Sequence, residues 1–277
     1  VMLNIICYRQ LPDCSITMLD VGQGDSLVFQ SQRQVILVDG GSSTVSNVGK
    51  YRILPYLQAQ GIDVLDCVAI THLDSDHYNG ILELMQMEYG VEIKQLAMSV
   101  TAVEEPAYAE ITAAAAERGI PVVLLQTGDC IRAGQLQLRI LYPSLKQQKL
   151  TCNNQSVILL AEYQNGVWRG LFTGDLEIEG EEILLNVQEL PEVQLLKAGH
   201  HGSKSSSGEA LLEQVKPDIT WISAGRNNRY GHPHAETLKR LQDVGSEVFG
   251  TYDWGAVSVS VEKASVTLQL YRNQKWR

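Results

Sequence analysis

A buried-strand run that leads straight into four metal-ligand side chains constrains this chain more than any other feature. Cys67-Val68-Ala69-Ile70-Thr71 is apolar and β-branched, and His72-Leu73-Asp74-Ser75-Asp76-His77 follows without a break. An extended exit from that strand would send His72, Asp74 and Asp76 to one side, because strand side chains alternate with a period of two. His77 would then come in from the adjacent turn. Imidazole with carboxylate suits divalent first-row metals. A merely polar strand-end loop is the alternative, but four ligand-type side chains within six residues rarely collect with nothing to bind.

The pattern around this run falls into two halves of similar element order. Strands are expected near 14–20, 26–30 and 35–39, a helix over 48–60, and the strand at 66–71 with its ligand loop. A helix over 106–118 follows, with Pro106 at its start and Gly119 at its stop, then strands near 121–126 and 135–142. The second half repeats the scheme. Strands are expected near 156–163, 167–173, 193–198 and 218–224, helices near 178–187, 207–215 and 234–243. Short strands near 247–250, 256–261 and 265–271 close the chain. Such an order implies an α/β fold of two packed sheets with helices outside. No low-complexity linker interrupts the 277 residues, so the expectation is a single domain over 1–277, with 1–13 as leader or linker.

The chain begins on valine, which suggests a piece cut from something longer. Val1–Cys7 is too short for a signal peptide and lacks its basic flank, and no run approaches the roughly 18 apolar residues that span a bilayer. Five cysteines stand without a CxxC pair, so a zinc–thiolate site is not expected. Cys67 reads as a small buried hydrophobe. Cys7 and Cys14 could pair in an oxidising compartment; the sequence leaves that open.

The net charge of −10 argues at first against a nucleic-acid partner, but it is unevenly spread. Residues 1–195 carry 11 Lys/Arg against 24 Asp/Glu, whereas 196–277 carry 11 against 8. Bound divalent ions would offset part of the acidic half, so a phosphate substrate remains compatible. Tight non-specific binding to duplex DNA does not, because it depends on neutralising many phosphates.

Further loaded segments fall at strand ends. Asp20-Val21-Gly22-Gln23-Gly24-Asp25-Ser26 is a Gly-rich turn, weak alone because hairpins use Gly and Asp for conformational reasons. Asp39 ends the apolar run Ile36-Leu37-Val38, either as a turn-former or as an acceptor that orients the metal loop; Asp20 is a second candidate for such support. Asp175 ends Leu171-Phe172-Thr173-Gly174 and could bridge two ions. Lys197-Ala198-Gly199-His200-His201-Gly202-Ser203 and Tyr230-Gly231-His232-Pro233-His234 complete the set. All six histidines lie in these last two segments and the loop at 72–77, a concentration that random placement would not produce.

Taken in order, these marks resemble a family. Leu19–Asp25, Thr71–His77, Asn153-Asn154-Gln155-Ser156, Thr173-Gly174-Asp175, His200–Ser203 and Asn228–Pro233 are similar to the motifs of metallo-β-lactamase-fold hydrolases. Within that fold they resemble the branch fused to ComEC-type competence proteins, the DNA-uptake channels of transformable bacteria. The resemblance spans residues 19–233 and implies an αββα sandwich, two mixed sheets flanked by helices, with a metal centre at one edge. It implies that His72, Asp74 and Asp175 hold one ion, and Asp76, His77, Asp175 and His200 the other. Two departures from the fold's usual pattern stand out: Asp74 replaces a histidine, and only Asn154 and Ser156 stand where a further histidine often lies. Both exchange nitrogen for oxygen, which shifts preference from zinc towards Mn²⁺, with Mg²⁺ and Zn²⁺ as alternatives.

Two such ions would make a water reactive and clamp a phosphodiester. Asp76 is then the residue expected to be essential, as ligand and proton acceptor, and His232 or His201 could donate a proton to the leaving oxygen. Ser203, Lys204, Asn228 and Arg229 are candidate phosphate contacts, Asn154 and Ser156 further substrate contacts, and Tyr230 a surface for stacking a base. The implied function is a nuclease acting on one DNA strand, joined to a transmembrane channel domain of the same protein on the extracytoplasmic face of the bacterial inner membrane. A phosphodiesterase that releases phosphocholine from cell-wall polymers shares some of the marks. A non-catalytic DNA-guiding module is the third reading.

Overall fold

The computed structural model describes residues 12–144, 151–262 and 265–271, so the expectations for 1–11, Cys7 included, lie outside the described residues. In chain order the first half supplies β1 (Cys14–Met18), β2 (Leu27–Ser31), β3 (Gln34–Val38), α1 (Leu54–Ala59), β4 (Val64–Leu65), β5 (Cys67–Ile70), α2 (Ser75–Gln86), β6 (Glu92–Ile93), β7 (Leu96–Ser99), α3 (Tyr108–Glu117) and β8 (Val122–Leu125). The second half supplies β9 (Cys130–Ala133), β10 (Leu136–Tyr142), β11 (Ile158–Tyr163), β12 (Trp168–Phe172), α4 (Ile178–Val187), β13 (Leu195–Lys197), α5 (Glu209–Val215), β14 (Ile219–Ile222), α6 (Ala235–Asp243) and β15 (Glu247–Gly250). A short α7 (Thr251–Trp254) precedes β16 (Val257–Glu262) and β17 (Ser265–Leu270).

These strands form two large mixed sheets, ordered β17-β16-β1-β2-β3-β5-β7-β8 and β15-β14-β13-β12-β11-β10-β9. Alternation along the strands gives each sheet one face towards the other. Ile16, Phe29, Ile36 and Val38 meet Leu138, Leu159, Phe172 and Trp221 in an inter-sheet core, where Phe29 and Phe172 touch edge to face at 4.9 Å. The outer face of the first sheet packs under α1 to α3 and that of the second under α4 to α6, giving the αββα layering.

Two features differ from the sequence expectation. The closing strands β16 and β17 do not stay with the second half: Val257, Val259 and Val261 pair with β1 and face the inter-sheet core, so the C-terminal hairpin belongs to the first sheet. The ligand loop is also not an extended exit. Asp74 is the residue before α2, and Ser75, Asp76 and His77 form the helix's first turn. His77, Ile81, Leu84 and Met85 lie on the buried stripe of that helix, so His77 is held inward by the same periodicity that buries Ile81.

Parallel pairing sets the location of the site. β3 runs parallel to β5, and β12 to β13 and β14, so their C-terminal ends deliver Asp39, His72, Asp175, Lys197 and Ser223 to one edge of the sandwich.

Candidate metal centre

The glycine-rich turns hold the first turn of α2 in place. The Asp25 amide donates to the Asp76 carbonyl (3.1 Å), the Gly40 amide to the His77 carbonyl (2.8 Å), and the Gly41 amide to the Asp25 carbonyl (3.0 Å). A Cβ on Gly24 would stand 2.3 Å from the Gly41 carbonyl oxygen, and one on Gly41 would stand 2.4 Å from the backbone carbon of Asp76. Only glycine permits backbones this close. The Gly-Gln-Gly-Asp and Asp-Gly-Gly marks are therefore a cradle for Asp76 and His77.

Three histidines have each fixed one ring nitrogen and left the other facing the same space. His77 Nδ1 donates to Asp39 Oδ2 (3.0 Å), and His201 Nδ1 donates to the Ser223 carbonyl (2.9 Å), which has no proton of its own to offer. Thr71 Oγ1 donates to Asp39 Oδ2 (2.8 Å) and so is left to accept from His72 Nδ1 (3.2 Å). These partners set the tautomer, with the lone pair on Nε2 in each ring. The Nε2 atoms of His72, His77 and His201 and Asp175 Oδ1 are buried and have no hydrogen-bond partner. Buried polar atoms are almost always paired, so four such atoms in one place need an explanation.

The carboxylates supply it. Asp175 Oδ2 stands 3.3 Å from His77 Nε2 and 3.4 Å from His201 Nε2, and Asp76 Oδ2 is 3.5 Å from His201 Nε2. Ligand atoms of His72, His77 and Asp175, and those of Asp76, His77 and His201, lie within 4.8 Å of one another. Lone pairs aimed at carboxylate oxygens repel unless a cation lies between them, and the donor set fits a divalent ion. Burial would lower the His201 imidazole, but the Asp175 and Asp25 charges push it up to about 10, and Asp175 and Asp39 raise His77 well above its usual value. Burial would likewise raise Asp175, yet His201 and His77 hold it well below the usual carboxylate range.

An acid and a base buried beneath these histidines went unassigned in the sequence. Lys197 Nζ lies 2.5 Å from Asp25 Oδ2 and 3.9 Å from Asp175 Oδ1, and it donates to the carbonyls of Gly174 (3.1 Å) and Ala198 (3.3 Å). Burial would deprotonate Lys197, but the Asp25 and Asp175 charges keep its ammonium above the usual lysine value. Asp25 also stands 3.5 Å from His201 Nδ1. Asp20, expected beside Asp39 as support, accepts from the Gly22 amide (3.2 Å) and serves its own turn. Asp39 does what both readings of it required: it ends β3 in a left-handed conformation (φ 57°) and holds Thr71 and His77.

The two adjacent histidines exchange their expected places. His201 is buried in the centre, whereas His200 lies towards the rim, with Nδ1 3.4 Å from Glu177 and Nε2 3.9 Å from Asp175. Both residues have positive φ (45° and 54°), a conformation rare for non-glycine residues that turns successive side chains in different directions. Asp74 also sits at the rim: its side chain is 49% exposed and 3.7 Å from His72 Nε2. Beside His72, the further ligand atoms within 4.8 Å belong to His77 and Asp175. Ser156 Oγ accepts from the Asp175 amide (3.1 Å) and lies 3.3 Å from His72 Nδ1, so it positions ligands instead of meeting substrate.

Several expected substrate contacts are engaged within the fold. Asn154 is buried, accepting from the Glu177 amide (3.0 Å) and donating to Glu179 (3.2 Å). The Asn228 side chain ties the 225–232 loop through Gly225, Tyr230 and His232, and the Ser203 hydroxyl pairs with Ser205. Lys204 remains exposed beside His234. Arg229 lies 4.8 Å over the Tyr230 ring, which is 42% exposed and stacks on His232 at 5.6 Å. Gln23, unassigned in the sequence, links the two loops: its Nε2 is 3.4 Å from His232 Nδ1 and its Oε1 accepts from the Gly225 amide (3.1 Å). Burial, then the neighbouring His201, His200 and His234 charges, lower His232 to about 4. A neutral His232 can hold an oxygen but has no ready proton to give near pH 7.

The fold is the metallo-β-lactamase fold, and residues 19–87 match the model of the metallo-β-lactamase superfamily. Its fold is that of YhfI from Bacillus subtilis (TM-score 0.55, 15% identity, 85% of this chain and 95% of that one). The chain is similar to ComE operon protein 3 of Bacillus subtilis, with 34% identity over 270 residues, 92% of this chain and 34% of that protein. It is also similar to Competence protein ComA of Neisseria gonorrhoeae, with 26% identity over 269 residues, 95% of this chain and 35% of that protein. The chain thus spans about a third of the length of these curated relatives.

Proposed function

We propose that the chain is a metal-dependent phosphodiesterase that cuts one strand of DNA during DNA uptake. The observation that carries this reading is the convergence of three unpartnered Nε2 atoms on Asp76 and Asp175. The likeness to ComE operon protein 3 and Competence protein ComA supports DNA as the substrate. His77, His201, Asp76 and Asp175 would hold one divalent ion, and His72, Asp74 and Asp175 a second, with Mn²⁺ favoured over Mg²⁺ and Zn²⁺ by the oxygen-rich set. Ions held there supply Lewis acidity, making water nucleophilic near neutral pH and neutralising phosphate charge.

The chain's own residues do the rest. Asp39, Ser223 and Ser156 keep the imidazoles and Asp175 aimed before substrate arrives. Asp76, less buried than Asp175, can accept the proton of an attacking water. Neutral His232 holds a phosphate oxygen, and Lys204 and Arg229 meet neighbouring phosphates of a strand laid along residues 197–240, which carry seven Lys/Arg against four Asp/Glu. Tyr230 offers a face to a base.

The chain would be one part of a longer, membrane-associated protein, on the outer face of the bacterial inner membrane, a reading supported by the third of each competence relative that it spans. Among the described residues no helix is long and apolar enough to cross a membrane. Single-stranded DNA and a phosphodiester reporter, each with Mn²⁺, Mg²⁺ or Zn²⁺, test the reading. Loss of DNA with Mn²⁺, abolished by Asp76→Ala, is expected; DNA that survives equally with both proteins contradicts it. The exposure of Asp74 favours one other reading, a DNA-guiding module whose centre binds metal without turnover, which the same assay separates.

A further inference from the structure

Lys197 closes β13 with its side chain 1% exposed, so it cannot touch a substrate. Its ammonium is fixed on four sides, by Asp25 Oδ2 (2.5 Å), Asp175 Oδ1 (3.9 Å) and the carbonyls of Gly174 and Ala198. Asp25 is itself capable of ligation. Ligand atoms of Asp25, Asp175 and His201 lie within 4.8 Å of one another, as do those of Asp25, Asp39 and His77. Of the four such groupings among the described residues, two depend on Asp25, and Asp25 is the carboxylate that the ammonium contacts.

We infer that Lys197 is a resident cation of this centre. Its ammonium takes the place between Asp25 and Asp175 that a divalent ion would otherwise occupy, and so confines exchangeable metal to the side formed by His72, Asp76, His77 and His201. The inference rests on the metal-centre reading above and adds to it the residue that chooses between ligand groupings. Two like charges cannot share one carboxylate edge in a buried site, while deleting the ammonium leaves Asp25 as an uncompensated buried charge that attracts a cation. Lys197 acts through Asp25 and Asp175 and is a positioning residue.

Lys197→Met, which keeps the length and loses the charge, and Lys197→Met with Asp25→Asn, which removes both charges, test this. The proteins are stripped with chelator and titrated calorimetrically with Mn²⁺. Bound metal per chain is counted by elemental analysis, and Tm is read with and without Mn²⁺. Lys197→Met is expected to bind Mn²⁺ at least about tenfold more tightly, with one extra ion per chain, and to gain more in Tm from Mn²⁺ than wild type does. The double variant is expected to return to the wild-type count. Should Lys197→Met fold only when Mn²⁺ is present, the ion has replaced the ammonium and the inference stands. If it binds the same number of ions or fewer, no more tightly, the lysine merely props the fold and the inference is overturned. A double variant that loses affinity tenfold overturns it too. A wild type that takes up no Mn²⁺, Mg²⁺ or Zn²⁺ sinks the metal-hydrolase reading itself, a distinct result.

Discussion

On one side of Asp175, His77 and His201 each anchor Nδ1 in the protein and aim Nε2 at Asp175, with Asp76 alongside. On the other side, His72 does the same beside an Asp74 side chain that is half in solvent, and the nitrogen within its reach, on His77, is one the first side already uses. The first side offers two nitrogens and two carboxylates; the second offers one nitrogen of its own, an exposed carboxylate and a share of His77 and Asp175. The two ions of the proposed pair should therefore bind unequally. The first should be held in the free protein. The second should depend on solvent or a phosphate oxygen to complete its shell.

The comparison breaks most severely if the shared ligand is removed. Asp175→Ala should weaken Mn²⁺ binding by more than about a hundredfold and abolish cleavage of single-stranded DNA, read by calorimetry and gel assay, since even outer-shell partners cost about 10–100-fold. Asp39→Ala, which frees His77 Nδ1, should cost about 10–100-fold in Mn²⁺ affinity while the circular dichroism stays native.

The pH dependence follows from the imidazoles. His201, raised from 6.5 to about 10, holds a second proton whose stabilisation is full below pH 6.5 and is lost as pH rises through about 10. An ion must displace that proton. Mn²⁺ affinity should therefore rise with pH across this window, by about tenfold per unit for one proton, and loading should release protons that calorimetry in buffers of different ionisation heat will count. Asp74→Ala should sharpen the contrast: the tighter equivalent should change by less than about threefold while the weaker one disappears from the titration. Arg229→Ala should have the smallest effect, lowering single-strand affinity a few-fold and flattening the logarithmic salt slope by about one.

Much of this centre was legible in the sequence because its ligands sit where strands end. His72, Asp39 and Asp175 follow apolar runs whose period marks them as buried strands, and such ends share an edge when the strands are parallel. Helix α2 was not legible, because its first turn is the polar ligand run itself and its apolar stripe begins only at Ile81. His200 and His201 could not be told apart by spacing; a positive φ at each decides which faces inward. Asn154, Ser156 and Asn228 looked like free polar side chains, and only the fold shows their amides and hydroxyl engaged. The Asp25–Lys197 pair joins residues far apart in the chain, and one sequence carries no signal of such a contact.

Anomalous diffraction at the manganese edge from crystals grown with Mn²⁺ would locate the bound ions. A strong peak bounded by His77 Nε2, His201 Nε2, Asp76 and Asp175 is expected, with any second, weaker peak beside His72. A lone peak on Asp25, or a map without one while these side chains keep their places, would contradict it.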